Sequence, residues 1–186
     1  MKKYALVFPG IGYHFDKPLL YYSKKIAANA GYEIVEVPYG GFKKGIKGNA
    51  KKMYEAFEMA LAQTEDMLKD LDLKAAQLLF ISKSIGTAVS AAYALKHDLK
   101  PKHICFTPVA ETFQFLREPC YIFHGNADQW LDHQVFLEKV KETTFPYEVI
   151  DRANHSLETG NGLKDAENLQ GILQKVSEFI QDGMNP

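Results

Sequence analysis

Apolar runs and amphipathic stripes alternate along the chain. Six short apolar segments, Tyr4–Phe8, Tyr32–Val37, Gln77–Ile81, His103–Thr107, Cys120–Phe123 and Tyr147–Ile150, predict strands. Runs such as Leu78–Ile81 lack polar alternation, which marks strands buried on both faces, as parallel strands are. Between them the period lengthens to that of a helix. Lys17–Ala30 stops at Gly31, a C′ glycine, and a second helix starts from an Asn49 N-cap with Met53, Phe57, Leu61, Thr64 and Leu68 on one stripe. The segment after Ser84 carries Gly86, Ala88, Ala91 and Ala92, so it is a helix apolar nearly all round and deeply buried. Ala110–Leu116 predicts one short helix, His133 begins another, and Leu163–Ile180 aligns Ala166, Leu169, Leu173, Val176 and Ile180. Strand–helix alternation of this kind implies right-handed βαβ units and a mostly parallel sheet covered on both faces. The expectation is one α/β domain over residues 1–186, a three-layer α/β/α sandwich.

Bulk properties narrow the function classes. A chain of 186 residues can bury a sizeable core without staples. A formal net charge of −1 gives no global field toward nucleic acid or an anionic membrane. The two cysteines, Cys105 and Cys120, sit in apolar runs without metal-ligand spacing, so they read as buried free thiols. The apolar stretch after Met1-Lys2-Lys3 is too short for a signal peptide, and no segment has the length of a membrane span, so the expected compartment is the cytoplasm. No repeat, low-complexity tract or linker interrupts the pattern. Oligomeric state is left open.

In an open α/β sheet the ligand site lies beyond the carboxyl ends of the strands, where strand order reverses. Five loops there attract attention: Pro9–Asp16, Pro38–Gly48, Ser82–Ser84, Gly125–Asp132 and Asp151–Glu158. The Pro9-Gly10-Ile11-Gly12-Tyr13-His14 turn holds Phe15 where a dinucleotide fingerprint needs its third glycine, which argues against that class. Ser84 stands at a sharp strand-to-helix turn, near a helix N-terminus that favours developing negative charge. Asp128 in His124-Gly125-Asn126-Ala127-Asp128 and His155 in Arg152-Ala153-Asn154-His155-Ser156 follow later strands and reach the same rim. Competing residues are His133, Asp132 and Glu111. His97 and His103 read as surface residues, and His124 as a shaper of the Gly125–Asp132 loop.

Serine, aspartate and histidine in that order, each after a separate strand, resemble the triad of the α/β hydrolases, and Ser82-Lys83-Ser84-Ile85-Gly86 resembles their G-x-S-x-G elbow with serine for the first glycine. The resemblance covers Tyr4 to Ile180 and lacks the two leading antiparallel strands of larger members. It implies a minimal fold with strand order second, first, third, fourth, fifth, sixth, which sets Ser84 beside the Gly10–Tyr13 loop. It also implies Ser84 as nucleophile, His155 as general base, Asp128 as orienting acid, and an oxyanion hole from Ile85 with Ile11 as first choice and Gly12 as second. Tyr13, His14, Phe113 and Trp130 are the expected substrate-binding residues. His14 either lines the pocket or faces solvent, and Phe113, Phe115 and Leu116 either wall an acyl pocket or plug the core. Only Pro108–Glu118 stands where larger members insert a cap, so the site is expected to be lidless and open, suited to small soluble esters or thioesters. No metal or organic cofactor is implied. An acyltransferase or a carbon–carbon bond hydrolase with the same triad, or a non-catalytic binding domain, are the alternatives. Lys43, Lys44, Lys47, Lys51 and Lys52 lie among glycines on the active-site side, either as a solvated loop or as an attractor for an anionic substrate group.

Overall fold

A computed structural model describes residues 1–46 and 48–182. Its strands are β1 (Lys3–Phe8), β2 (Glu33–Glu36), β3 (Gln77–Lys83), β4 (Lys102–Phe106), β5 (Cys120–Gly125) and β6 (Tyr147–Ile150). The helices are α1 (Pro18–Asn29), α2 (Ala50–Leu68), α3 (Ile85–Lys96), α4 (Thr112–Phe115), α5 (His133–Lys141) and α6 (Gly162–Gln181). All six strands form one parallel sheet in the order β2-β1-β3-β4-β5-β6. The reversal of order therefore falls between β1 and β3, as the resemblance implies.

Burial explains the elements. The inner strands are closed on both faces, and the edge strands β2 and β6 remain partly exposed. Along β1, Ala5 and Val7 point to a core shared with Leu20 and Ala27 of α1 and Ile172 and Val176 of α6. The alternate residues Tyr4, Leu6 and Phe8 point to the opposite core, formed with α2 and α3. Phe136 and Val140 of α5 extend the second layer beneath β5. The side chain of Asn49 accepts from the Lys52 N–H and fixes the start of α2, as Asn161 does at α6 with Leu163 and Lys164.

Two elements run past their expected ends for a physical reason. The apolar run of β3 stops at Ile81, yet Ser82 and Lys83 continue the ladder opposite Cys105 and Phe106. Both are polar and buried, and both find partners: Ser82 Oγ donates to the Ile104 carbonyl at 3.1 Å, and Lys83 Nζ donates to Thr107 Oγ1 at 2.5 Å. β5 likewise continues through His124 and Gly125, which pair with Val149 and Ile150. Cys105 and Cys120 are free and buried. Among the described residues no helix is long and apolar enough to cross a membrane.

Candidate active site

Ser84 occupies a strained elbow, with φ 56° and ψ −125°, between the end of β3 and the first residue of α3. That region disfavours a side chain, and such strain is tolerated where the surroundings over-determine it. Its N–H donates to the Phe106 carbonyl at 3.0 Å, and its carbonyl accepts from Thr87 N–H at 2.9 Å. Small residues make the turn possible. A Cβ on Gly86 would meet the Phe8 and Pro9 carbonyl oxygens at 2.6 Å, and one on Gly10 would meet Ser84 Cβ at 3.1 Å. These approaches set the loop after β1 against the elbow, at the topological switch.

His155 joins the loops. Its Nε2 lies 2.8 Å from Ser84 Oγ and its Nδ1 lies 2.7 Å from Asp128 Oδ2. A carboxylate only accepts, so Nδ1 carries the proton and Nε2 accepts from the serine hydroxyl. The second carboxylate oxygen of Asp128 accepts from the Trp130 N–H at 2.7 Å. Burial pushes the Asp128 carboxyl up, but His155 and this N–H outweigh it and hold the group below its ordinary value. The Trp130 ring stacks on the imidazole with centroids 5.5 Å apart.

Gly125 fastens the acid loop to the histidine loop. A Cβ there would lie 2.2 Å from the Ala153 carbonyl oxygen and 2.8 Å from that of Asn154, backbone atoms that cannot turn aside. Gly125→Ala is expected to displace the His155 loop, destabilise the protein by about 1–3 kcal/mol, and slow any reaction of Ser84 about 100-fold for a shift near 1 Å. Chemical denaturation and the rate of Ser84 modification by a fluorophosphonate measure the two effects.

The turn after β1 is closed by reciprocal bonds between Gly10 and Tyr13, at 3.1 and 3.2 Å, which use neither the Ile11 nor the Gly12 N–H. Gly12 sits at φ 78°, where that turn needs glycine. Tyr13 is buried and its hydroxyl accepts from Leu19 N–H at 3.2 Å, so it packs beneath the site. His14 faces solvent, 63% exposed and 3.9 Å from Asp16. Phe113 points away from the cleft and packs edge-on against Phe136, because α4 turns that face toward α5. Phe115 lines a cavity of about 200 Å³ beside Ile85. Leu116 plugs the core.

The competing residues are engaged elsewhere. Asp132 caps α5 by accepting from Gln134 and Val135 N–H. Glu111 precedes α4 at the cavity, and His133 stacks on His124. His124 is buried under the acid loop against Phe136, and burial lowers its pKa to about 4. His97 bonds Glu65 at 2.8 Å. His103 is not a surface residue: it lies on an inner strand, 2% exposed and edge-on to Phe80, and burial lowers its pKa to about 3. In the lysine-rich segment, Lys43 of the loop pairs with Glu55 of α2 at 2.7 Å, and Lys52, on α2 itself, donates back to the Lys44 carbonyl of the loop; Lys47 lies outside the described residues.

Sequence reasoning passed over Lys83, whose side chain is 1% exposed at the base of the elbow. Burial is the chief influence on its ammonium and lowers its pKa to about 7, against opposing pulls from Asp128 and Glu158. Between that value and 10.5 the unfolded chain binds a proton that the folded chain releases, so stability rises with pH across this window. The difference in unfolding free energy between wild type and Lys83→Met is therefore expected to move in favour of wild type from pH 7 upward, as denaturant midpoints at several pH values would register.

The chain matches no known family profile and no curated protein. Solved structures do resemble it. A serine hydrolase without a lid from Xanthomonas campestris superposes with a TM-score of 0.63 at 12% identity, covering 96% of this chain and 80% of that one. Est1E from Butyrivibrio proteoclasticus, bound to ferulic acid, gives 0.70 at 12% identity over 99% and 90%. An esterase from Pyrococcus furiosus gives 0.63 at 14% identity over 97% and 83%. The six-stranded parallel sheet with its covering helices superposes on these solved structures along nearly the whole chain: the protein has the α/β-hydrolase fold, in a compact six-stranded form.

Proposed function

We propose that the protein is a serine hydrolase that cleaves a small ester or thioester through an acyl-enzyme on Ser84. The observation that carries this reading is the continuous hydrogen-bonded line from Ser84 through His155 to Asp128, with links of 2.8 and 2.7 Å. A neutral hydroxyl is a weak nucleophile and needs a base within this reach. His155 takes the Ser84 proton as Oγ attacks the carbonyl carbon, then gives it to the departing alcohol or thiol. Asp128 steadies the imidazolium. The oxyanion is held by the Ile85 N–H at the start of α3 and by Ile11 or Gly12, each donor worth about two to three orders of magnitude in turnover. Water then attacks the acyl carbon with His155 as base, and Ser84 is released. The esterases among the structural neighbours support an ester substrate.

The test is intact-mass analysis after exposure to a fluorophosphonate carrying a small alkyl group. One adduct, mapped to Ser84, is the expected result. Folded protein without an adduct would overturn the reading.

A further inference from the structure

The cavity beside the elbow has a composition of its own. Met53, Tyr54 and Phe57 of α2 face Ile85 of α3 and Val109 and Phe115 from the β4–α4 segment, around about 200 Å³. Phe57 and Phe115 stack with planes 5° apart, forming a flat wall. Ala88 leaves room at the floor, and the only lining carboxylate is Glu111, exposed at the rim with Gln114. Along the histidine loop, directly after His155 in the chain, a second cavity of about 180 Å³ is bounded by Tyr13, Ser156, Leu157 and Glu158. Proton delivery assigns the two sides. His155 must reach the leaving atom, so the alcohol or thiol departs along the histidine loop. The acyl group then extends the opposite way, past the Ile85 N–H.

We infer that the cavity formed by α2, Ile85 and Phe115 is the acyl-binding site, and that it selects an uncharged apolar acyl group about the size of one ring or a six-carbon chain. This rests on Ser84 being the nucleophile. The size follows from volume: an apolar cavity of about 150 Å³ holds a benzene molecule, so about 200 Å³ holds a ring or its aliphatic equivalent and little more. The charge selection follows from the walls, which below the rim are apolar and give a buried ion no partner, and from Glu111, which repels an anionic chain at the entrance.

The experiment measures kcat/KM for p-nitrophenyl esters from acetate to dodecanoate. Each methylene entering the cavity is expected to raise it about two- to fourfold up to hexanoate, followed by a plateau or fall. Ala88→Phe fills the floor and should lower the hexanoate-to-acetate ratio at least about tenfold. Phe115→Ala opens the wall and should move the optimum to longer chains, which keeps the inference testable if Ala88→Phe fails to fold. A flat series, or ratios unmoved in both variants while Ser84 still takes the fluorophosphonate, would overturn the assignment and leave the hydrolase reading standing. Absence of the Ser84 adduct would overturn both.

A separate observation concerns Lys83. Its amine donates to Thr107 Oγ1, and that hydroxyl donates to the His155 carbonyl at 3.0 Å. Thr107 is itself held at φ 42°, with its N–H on the Phe123 carbonyl at 2.7 Å. The Lys83 Nζ also lies 5.0 Å from the centre of the Tyr13 ring. The elbow, the loop after β4 and the histidine loop are thus tied by one buried polar thread. The geometry points to Lys83 and Thr107 as positioning residues that hold the backbone of His155 at the distance Ser84 needs. Thr107→Val keeps the volume and cuts both bonds; it should lower kcat about tenfold or more with KM within about twofold. Thr107→Ser restores the hydroxyl and should restore kcat. Turnover unchanged in Thr107→Val, or equal losses in the valine and serine variants, would overturn the role.

Discussion

Ser84→Ala is expected to lower ester turnover by about four orders of magnitude or more while leaving the fold and substrate affinity in place. The hydroxyl makes no hydrogen bond that the sheet depends on. Its partner is the His155 ring, and the backbone of Ser84 is held independently by Phe106 and Thr87. What disappears is the hydroxyl oxygen 2.8 Å from the base. The residual rate comes from the oxyanion donors and from binding, which alanine preserves. Steady-state kinetics on p-nitrophenyl hexanoate, with circular dichroism as a control for folding, gives the comparison. Retention of a tenth of wild-type turnover would place the chemistry at another residue.

Asp128→Asn is expected to lower kcat by about 10⁴-fold, and the hydrogen bonds dictate why. The Trp130 N–H donates to Oδ1, so that position must remain an oxygen. The amide nitrogen of asparagine is then forced into the place of Oδ2, 2.7 Å from His155 Nδ1. An NH₂ donates, so Nδ1 becomes the acceptor and the imidazole proton moves to Nε2. The ring then offers Ser84 a donor where the hydroxyl requires an acceptor. Geometry is kept and the tautomer is wrong. NMR of the imidazole nitrogens would show the exchange of protonated positions, and a variant with normal tautomer and normal kcat would remove Asp128 from the mechanism.

The strand runs were legible from periodicity and the parallel sheet from the handedness of βαβ units, whereas the strand order, and with it the meeting of the loops at the switch point, came from the resemblance to the α/β hydrolases. Ser84, Asp128 and His155 could be picked out because each follows a strand run that ends abruptly in polar residues. The polar ends of β3 hid two strand residues, since Ser82 and Lys83 look like loop until Ile104 and Thr107 are seen to satisfy them. His103 misled for the opposite reason: a ring flanked by Lys102 and Pro101 reads as exposed, but β4 pairs with β3 on one side and β5 on the other, which closes it in. Phe113 and Phe115 could not be told apart, because two residues on a four-residue helix differ only in which neighbour the turn offers them. Met53 and Phe57 were visible as a helical stripe, with no sign that part of it faces a cavity.

The three residues of the line from Ser84 to Asp128 do not hang from equally secure supports. Ser84 ends a strand paired on both sides, and Asp128 follows β5, which is also paired on both sides, but His155 follows β6, which pairs with β5 alone. An edge strand opens at a lower free energy than the strands inside it. The base is therefore carried by one of the two edges of the sheet, where amide hydrogens are expected to exchange sooner than in the strands between them. In a denaturant series, catalysis should fade before the helical signal does, because an edge that opens takes the histidine with it. During synthesis the same asymmetry runs forward: Ser84 and Asp128 are laid down before His155, and the line of three is incomplete until β6 docks.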